Sequence, residues 1–374
     1  MIDSPHLYLR ERPPHKPIEA ARRTLEISTE LRRRRMPAVV SLRHLSLRSR
    51  VDYAFLHAVV TRGVDGYDLF EVRRRNGKPR TIAAPQAELV RVQRWILDRM
   101  LHRVEPHADS WAYFPGRSAV QAARRHTGAE WLIKLDLKNF FHQVDERMVF
   151  RLFEFFGYPK LLAFEMARIS TRQAPQTSQS WLPDKYFGAT PRLRQGTPYN
   201  HLTQLGYLPQ GAPTSGAIAN LAARQLDESL SQWAASQHMV YTRYSDDIVL
   251  SGSADTYSRA SAKQKFGTLR SLVENHGWEP NPAKGRIVPP GSRLIVLGML
   301  VDGDRVRLRR EMRQRIGEHL RGIERFGVAN HAAHRHFRDA FGMLNHVRGL
   351  VDHARSVDPD QAAEFDARLR PYEI

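Results

Sequence analysis

The sequence contains no cysteine among its 374 residues. It therefore has no disulfide framework, no cysteine-based zinc site and no thiol nucleophile. This composition is compatible with a reducing cytoplasm, where we expect the protein to reside. No run of residues approaches the roughly 18 apolar positions of a membrane span, and the first residues lack the apolar segment of a signal peptide.

Acidic residues are scarce relative to basic ones. The chain has 39 Asp+Glu against 58 Lys+Arg, a net charge of +19, and a pI near 10.5. Such an excess predicts a polyanionic partner, with nucleic acid favoured over an acidic membrane surface. The hydrophobic content of 41% is ordinary for a soluble globular protein, and the length suffices for two or three lobes.

Two adjacent carboxylates lie in the segment from Met239 to Gly252, MVYTRYSDDIVLSG. Apolar β-type runs on both sides of Ser245, Asp246 and Asp247 predict a tight hairpin. Like charges at this spacing raise each other's pKa unless a cation lies between them. Mg²⁺ binds through carboxylates and substrate phosphates, which makes it the expected cation. For the pair alone, a solvated Asp-Asp turn is the alternative.

A third carboxylate ends another predicted strand. In Trp131 to Val144, WLIKLDLKNFFHQV, an apolar run reaches Asp136 and is followed by Phe140 and Phe141. An acidic side chain at a strand end lies where open sheets present their chemistry. Asp145 then predicts the cap of a helix ending at Gly157.

Small residues precede a predicted helix in Leu208 to Asp227, LPQGAPTSGAIANLAARQLD. The Pro-Gln-Gly-Ala-Pro run predicts a rigid extended loop, and Thr214 or Ser215 is expected to cap the helix. Such a loop lets a flat base pair or a phosphate approach the backbone closely. The alternative is a capped helix after an ordinary loop.

Basic residues concentrate in three other segments. Leu69 to Pro85 predicts a hairpin with an Asn76-Gly77 turn, near which Lys78 and Arg80 are suited to triphosphate oxygens. Arg117 precedes a helix that Ser118 is expected to cap, and it is a candidate phosphate or template contact. The helical tail carries seven arginines between Arg307 and Arg325, which favours a polyanion groove.

Four features follow one another along the chain: a strand-end Asp, a loop into a helix, a Tyr-x-Asp-Asp hairpin and a downstream lysine. Their combination and order resemble those of the bacterial reverse transcriptases. The similarity is greatest to the retron and group II intron branch. It spans roughly Tyr53 to Val301 and depends on LDLKNFFHQV, LPQGAPTSG and YSDD.

The resemblance implies an α+β right-hand polymerase fold. Fingers would comprise residues 51–128, and an antiparallel-sheet palm residues 129–303, with a fingers insertion near 170–206. A helical thumb would comprise residues 304–374, and residues 1–50 would be a basic N-terminal extension.

The resemblance also implies site residues. Asp136, Asp246 and Asp247 would be catalytic and, with the Leu137 carbonyl, would hold two Mg²⁺ ions roughly 3.5–4 Å apart. Phe141 would be the steric gate that excludes a ribose 2′-OH. The other nucleotide contacts implied are Lys78, Arg80, Gln210, Gly211 and Lys284, the last assisting pyrophosphate departure. The nucleic-acid contacts expected are Arg117, Tyr244, Arg309, Arg310 and Arg313.

The function implied is RNA-directed DNA synthesis. A retron enzyme would copy part of a structured noncoding RNA into single-stranded DNA (msDNA), act on an RNA–DNA hybrid and dNTPs, and serve antiphage defence with an effector protein. Two departures from the retron pattern leave the branch open: Ala122 replaces the Asn of Asn-Ala-x-x-His, and Leu297 replaces the Thr of Val-Thr-Gly. Alternatives are another defence-associated or group II-like reverse transcriptase, a catalytically silent RNA-binding scaffold, or an RNA-dependent RNA polymerase.

Overall fold

The computed structural model describes residues 17–73, 79–173, 199 and 204–372. These residues form two compact units. The first unit contains the described residues up to Gly116, together with Leu137–Glu228 and His276–Glu279. The second unit contains Arg117–Asp136, Ser229–Asn275 and the described residues from Pro280 onward.

Helices and antiparallel strands make up both units. In chain order the α-helices of the described residues are α1 (Ile18–Arg33), α2 (Leu42–Ser49), α3 (Tyr53–Val60), α4 (Ala87–Arg99), α5 (Ala119–Arg124), α6 (Glu146–Phe155), α7 (Lys160–Ser170), α8 (Ser215–Ala222), α9 (Arg224–Ser236), α10 (Arg259–Asn275), α11 (Arg310–Phe326), α12 (Val328–His334), α13 (Ala340–Val357) and α14 (Pro359–Leu369). The strands are β1 (Tyr67–Arg73), β2 (Pro79–Pro85), β3 (Trp131–Leu137), β4 (Val240–Tyr244), β5 (Asp247–Gly252), β6 (Pro280–Val288), β7 (Ile295–Val296), β8 (Met299–Leu300) and β9 (Arg307–Leu308). None of the described helices is both long and apolar enough to cross a membrane.

In the first unit, β1 and β2 form the predicted antiparallel hairpin, in register from Tyr67 opposite Pro85 to Arg73 opposite Pro79. Its tip, including Lys78, lies outside the described residues. Helix α4 follows, with Leu89 and Ile96 on its fully buried face.

A buried carboxylate anchors the start of α6 in the same unit. Glu146 has no exposed surface and accepts hydrogen bonds from Arg62 (2.7 Å), Arg168 (3.0 Å) and the Gly206 backbone N–H (2.9 Å). The preceding Asp145 caps α6, as predicted, by accepting from the backbone N–H groups of residues two and three positions later. A buried charge is tolerated only when paired in this way. The network therefore ties α6 to the chain that leads into the Leu208 loop.

The second unit is built on a four-stranded sheet in the order β4-β5-β3-β6. Strand β5 pairs antiparallel with both β4 and β3. Ile248, Val249 and Leu250 of β5 are all buried, as are Leu132 and Ile133 of β3. Successive residues of a strand point to opposite faces, so the two inner strands are covered on both faces.

The C-terminal part of the second unit is helical, as its periodicity predicts. The short strands β7, β8 and β9 form a separate sheet, and its apolar side chains join those of the helices in one core. That core includes Val296, Met299 and Leu308 from the strands, Ile316, Leu320 and Ile323 from α11, and Met343, Val347 and Val351 from α13.

One predicted helix differs in detail. The helix expected after the Leu208 loop is two helices, α8 and α9, separated at Ala223. Thr214 makes no side-chain capping hydrogen bond, because its backbone is already helical (φ −78°, ψ −23°). The Ser215 hydroxyl instead donates to the Pro209 carbonyl (2.8 Å), which fixes the loop to the start of α8.

Candidate active site

The hairpin of β4 and β5 has a two-residue turn. Tyr244 pairs with Asp247, so Ser245 and Asp246 form the turn and Asp247 is the first residue of β5. Ser245 has a φ of 59°, in the left-handed region. The fully buried Arg243 donates to the Ser245 carbonyl (2.9 Å) and supports this conformation. Sequence reasoning missed Arg243, although an arginine inside an otherwise apolar strand was a signal.

The sheet register brings the three predicted catalytic carboxylates to one end of the sheet. Asp136 of β3 lies directly opposite Asp247 of β5, and Asp246 is the neighbouring turn residue. The pKa values of Asp246 and Asp247 are both raised, chiefly because the surrounding protein limits their hydration. The negative charge of Asp136 raises both pKa values further, and Asp246 adds to the effect on Asp247.

Both oxygens of the Asp136 carboxylate accept hydrogen bonds from β6. The Asn281 amide donates to Oδ1 (2.9 Å), and the Lys284 ammonium donates to Oδ2 (2.6 Å). Asp136 is buried, while the Lys284 side chain is 54% exposed. Lys284 is therefore a local counter-ion of the carboxylates. Asn281 was not among the predicted site residues.

A cavity of about 470 Å³ adjoins these carboxylates. Asp136 and Asp247 line it together with five basic side chains, those of Lys134, Lys284, Arg286, Arg293 and Arg309. Lys134 donates to the Ile295 carbonyl (3.2 Å), and burial lowers its pKa. Two carboxylates within a basic cavity fit a ligand that is itself a phosphate anion and brings cations with it.

The donor set suits a hard divalent cation. Carboxylate oxygens are the ligands that Mg²⁺ prefers, and Leu137, whose carbonyl is a further predicted ligand, directly follows Asp136 in β3. Within the described residues, no group of three or more His, Asp or Glu side chains is already arranged around a common metal position. Each Asp136 oxygen accepts one hydrogen bond, from Asn281 or from Lys284, and keeps a second lone pair.

Three of the predicted nucleotide-binding residues, Arg80, Gln210 and Gly211, lie together in the first unit. The Arg80 guanidinium donates to the Gln210 side-chain oxygen, and the Ala83 backbone N–H donates to the Gln210 carbonyl (2.8 Å). Gly211 has a φ of 119°, and a Cβ there would lie 2.6 Å from the Ala83 carbonyl oxygen. Only glycine permits this approach between strand β2 and the Leu208 loop.

The two adjacent phenylalanines differ in environment. Phe140 is buried, with its ring centroid 5.2 Å from that of Trp278. Phe141 is half-buried and touches Tyr113, a residue that the sequence did not single out. Phe140 is therefore packed in the core, whereas Phe141 remains partly accessible.

The predicted nucleic-acid contacts are partly or fully accessible. Tyr244, Arg117 and Arg309 are half-buried, and Arg310 and Arg313 are exposed on α11. Of these, Arg309 lines the basic cavity.

Comparison with known proteins identifies the family. Residues 72–301, more than half of the chain, match the family model of reverse transcriptase (RNA-dependent DNA polymerase). The chain belongs to the reverse transcriptase family.

The relatives of this reverse transcriptase include retron enzymes. The retron Mx162 reverse transcriptase of Myxococcus xanthus is 27% identical over 318 residues, which cover 82% of this chain and 61% of that enzyme. The retron Ec86 reverse transcriptase of Escherichia coli is 26% identical over 330 residues, covering 88% of each chain. The chain thus spans about three fifths of the length of the Mx162 enzyme. Among solved structures, telomerase from Candida albicans matches 82% of this chain and 56% of its own with a TM-score of 0.40 and 11% identity.

The family model and the matches to the curated retron enzymes confirm the resemblance to retron-type reverse transcriptases. The family consists of RNA-directed DNA polymerases, which generally depend on a divalent metal ion. The antiparallel sheet with its helices is consistent with the polymerase fold of the family, so the α+β class predicted for this reverse transcriptase is confirmed.

The two departures from the retron motifs have defined positions. Ala122 is fully buried in α5, and His126 of the same motif contacts Ser251 Oγ through Nδ1 and Thr242 Oγ1 through Nε2, both at 2.7 Å. Leu297 and Gly298 form the β7–β8 turn, with φ values of 48° and 83°. The motif histidine of this reverse transcriptase therefore fastens α5 to strands β4 and β5.

Proposed function

We propose that this reverse transcriptase synthesises DNA on an RNA template by a two-metal mechanism, with Asp136, Asp246 and Asp247 as its catalytic carboxylates. The observation that supports the proposal most directly is the register that sets Asp136 opposite Asp247, with Asp246 beside them. Two Mg²⁺ ions would be held by these carboxylates and by the Leu137 carbonyl. Bound metal supplies stabilisation of the attacking and leaving oxygens in nucleotidyl transfer.

The remaining site residues would bind the substrates. We assign Arg80, Gln210 and Gly211 to the incoming dNTP, together with Lys78, which lies outside the described residues. Phe141 would exclude the ribose 2′-OH, and Lys284 would assist the departing pyrophosphate.

The template–primer and the RNA–DNA hybrid would contact a second set of residues. The expected contacts are Arg117, Tyr244, Arg309, Arg310 and Arg313. The Arg309 side chain at the basic cavity supports this role, because cations at close range bind phosphodiesters through counterion release.

We further propose that the enzyme is a retron reverse transcriptase that copies a structured noncoding RNA into msDNA. Its similarity to retron enzymes supports this substrate. Antiphage defence with an effector protein and a cytoplasmic location remain predictions. So do the assignments of residues 51–128, 129–303 and 304–374 to fingers, palm and thumb.

Primer extension on an RNA template with dNTPs and Mg²⁺ tests the proposed chemistry. The wild type should extend the primer, and Asp246→Asn combined with Asp247→Asn should abolish extension. Asp255→Asn is a matched control, because that carboxylate is exposed on the turn Ala254–Thr256, outside the catalytic register. Extension by the double variant would refute the assignment of these carboxylates.

Sequencing of nucleic acid that copurifies from the native host tests the proposed substrate. DNA covalently joined to RNA supports the retron assignment, whereas RNA without DNA favours a catalytically silent scaffold. Phage plating on cells with and without the active enzyme tests the defence role.

A further inference from the structure

Tyr113 lies in a strained conformation in the loop before α5. Its φ is 56°, in the left-handed region that non-glycine residues rarely adopt, and its side chain is 44% exposed. Strained backbone of this kind persists only where neighbouring structure holds it, and it concentrates at functional sites. The contacts of the ring are therefore informative.

Gly216 holds the ring on one side. It is the second residue of α8, and a Cβ at this position would lie 2.5 Å from Cγ and 2.6 Å from Cδ1 of Tyr113. Gly216 has helical backbone, so its conformation does not require glycine, and glycine inside a helix is locally unfavourable. Tyr113 is unfavourable in a left-handed conformation, and Gly216 is unfavourable in a helix. Both nevertheless occur here, where together they allow the Tyr113 ring to lie against the backbone of α8.

Phe141 lies on another side of the same ring. The centroids of Tyr113 and Phe141 are 5.8 Å apart at an interplanar angle of 56°, and Phe140 contacts Phe141 at 5.7 Å. Since Phe140 is packed in the core, Phe141 is bounded by a fixed ring and by Tyr113. Aromatic pairs at this separation attract each other and restrict each other's rotation.

A residue that selects a sugar by excluded volume must keep its ring in place. Misplacement of a positioning group by about 1 Å can change rates by about a hundredfold. We propose that Tyr113 is a positioning residue that holds Phe141 in the orientation that discriminates dNTPs from rNTPs. This inference rests on the proposed function of Phe141 as the sugar gate.

Single-nucleotide incorporation tests the proposal. The ratio of kcat/KM for a dNTP to kcat/KM for the matching rNTP is measured on the RNA–protein complex isolated from the native host. Tyr113→Ala should lower this ratio about tenfold, mainly by lowering KM for the rNTP, and Tyr113→Phe should preserve it within about twofold because the ring remains. Tyr113→Gly removes the ring while relieving the backbone strain, so it should lower the ratio without loss of folding.

Gly216→Ala perturbs the same contact from the helix. Its methyl group must displace the Tyr113 ring, so this variant should also lower the ratio. In the Tyr113→Ala background there is no ring to displace, and Gly216→Ala should then have no further effect. Multiplicative effects of the two substitutions would overturn the proposal, because independent sites behave in that way.

Phe141→Ala separates this inference from the proposed function. A loss of discrimination in Phe141→Ala but not in Tyr113→Ala or Tyr113→Gly would overturn the role of Tyr113 alone. Retained discrimination in Phe141→Ala would overturn the gate itself. An unchanged ratio in Gly216→Ala would show that the ring position does not matter.

Discussion

Acidification should destabilise the second unit through His126. Its imidazole is only 1% exposed and has a hydroxyl group at each ring nitrogen, Ser251 Oγ and Thr242 Oγ1, both at 2.7 Å. A neutral imidazole donates at one nitrogen and accepts at the other, and hydroxyl groups satisfy either role. An imidazolium would have to donate at both nitrogens in a buried position. Burial, with smaller contributions from the charges of Arg125 and Lys134, therefore lowers the pKa of His126 to about 3.

The size of the effect follows from linkage. In the unfolded chain the histidine has its ordinary pKa of about 6.5, so the unfolded state binds the proton more readily. The stabilisation from a neutral His126 is present above pH 6.5 and is lost progressively as the pH falls toward 3. Between pH 7 and pH 5 this residue alone should lower the free energy of unfolding by about 2 kcal/mol.

Urea unfolding of the wild type and His126→Gln at pH 7, 6 and 5 measures the effect. The glutamine variant should be less stable at pH 7, because one hydrogen bond and part of the packing are lost. Glutamine does not titrate. From pH 7 to pH 5, the difference in the free energy of unfolding between the two proteins should therefore shift by about 2 kcal/mol in favour of the variant. Comparison with the variant is needed because His142 and His319, each with a pKa lowered to about 4, act in the same direction. Parallel pH profiles for the two proteins would refute the reasoning.

Three further predictions concern charge and backbone. Lys284→Gln should raise the affinity for Mn²⁺ about threefold, because the ion pair of a half-exposed lysine contributes roughly 0.5–1 kcal/mol. The affinity is measured by electron paramagnetic resonance without nucleic acid. Lys284→Arg should keep the wild-type affinity, and weaker Mn²⁺ binding by the glutamine variant would contradict the counter-ion role. Gly211→Ala should lower the free energy of unfolding by about 2 kcal/mol, since its Cβ would meet the Ala83 carbonyl oxygen. The helical Gly267→Ala, which meets no atom within 4 Å, is its control and should be stabilising in the same urea titration. His238→Gly should raise the free energy of unfolding by about 1 kcal/mol and so raise the melting temperature, because His238 (φ 54°) is in the left-handed position after α9 that favours glycine. A lower melting temperature would contradict this.

The sequence was sufficient for features that depend on neighbouring residues. Alternating apolar runs around Ser245 and Asp246 predict the β4–β5 hairpin, and Asp145 predicts the start of α6, because strand periodicity and helix capping act over a few positions. The sequence also places Asp136 at the end of a strand. It does not contain the register between β3 and β5, although that register decides which residues lie opposite one another.

Tertiary structure alone decided the contacts that connect distant segments. Asn281 joins Asp136 across 145 positions, and His126 reaches Ser251 across 125. Tyr113 is close in space to Gly216 and Phe141, although the three residues are far apart in the sequence. A polar or aromatic side chain finds its partner only after packing has fixed the backbone around it, since in the unfolded chain it is surrounded by water and has no fixed neighbour. The sequence by itself therefore determined the family and most of the elements and predicted the carboxylates, while packing determined which residues contact Asp136 and the Phe141 ring.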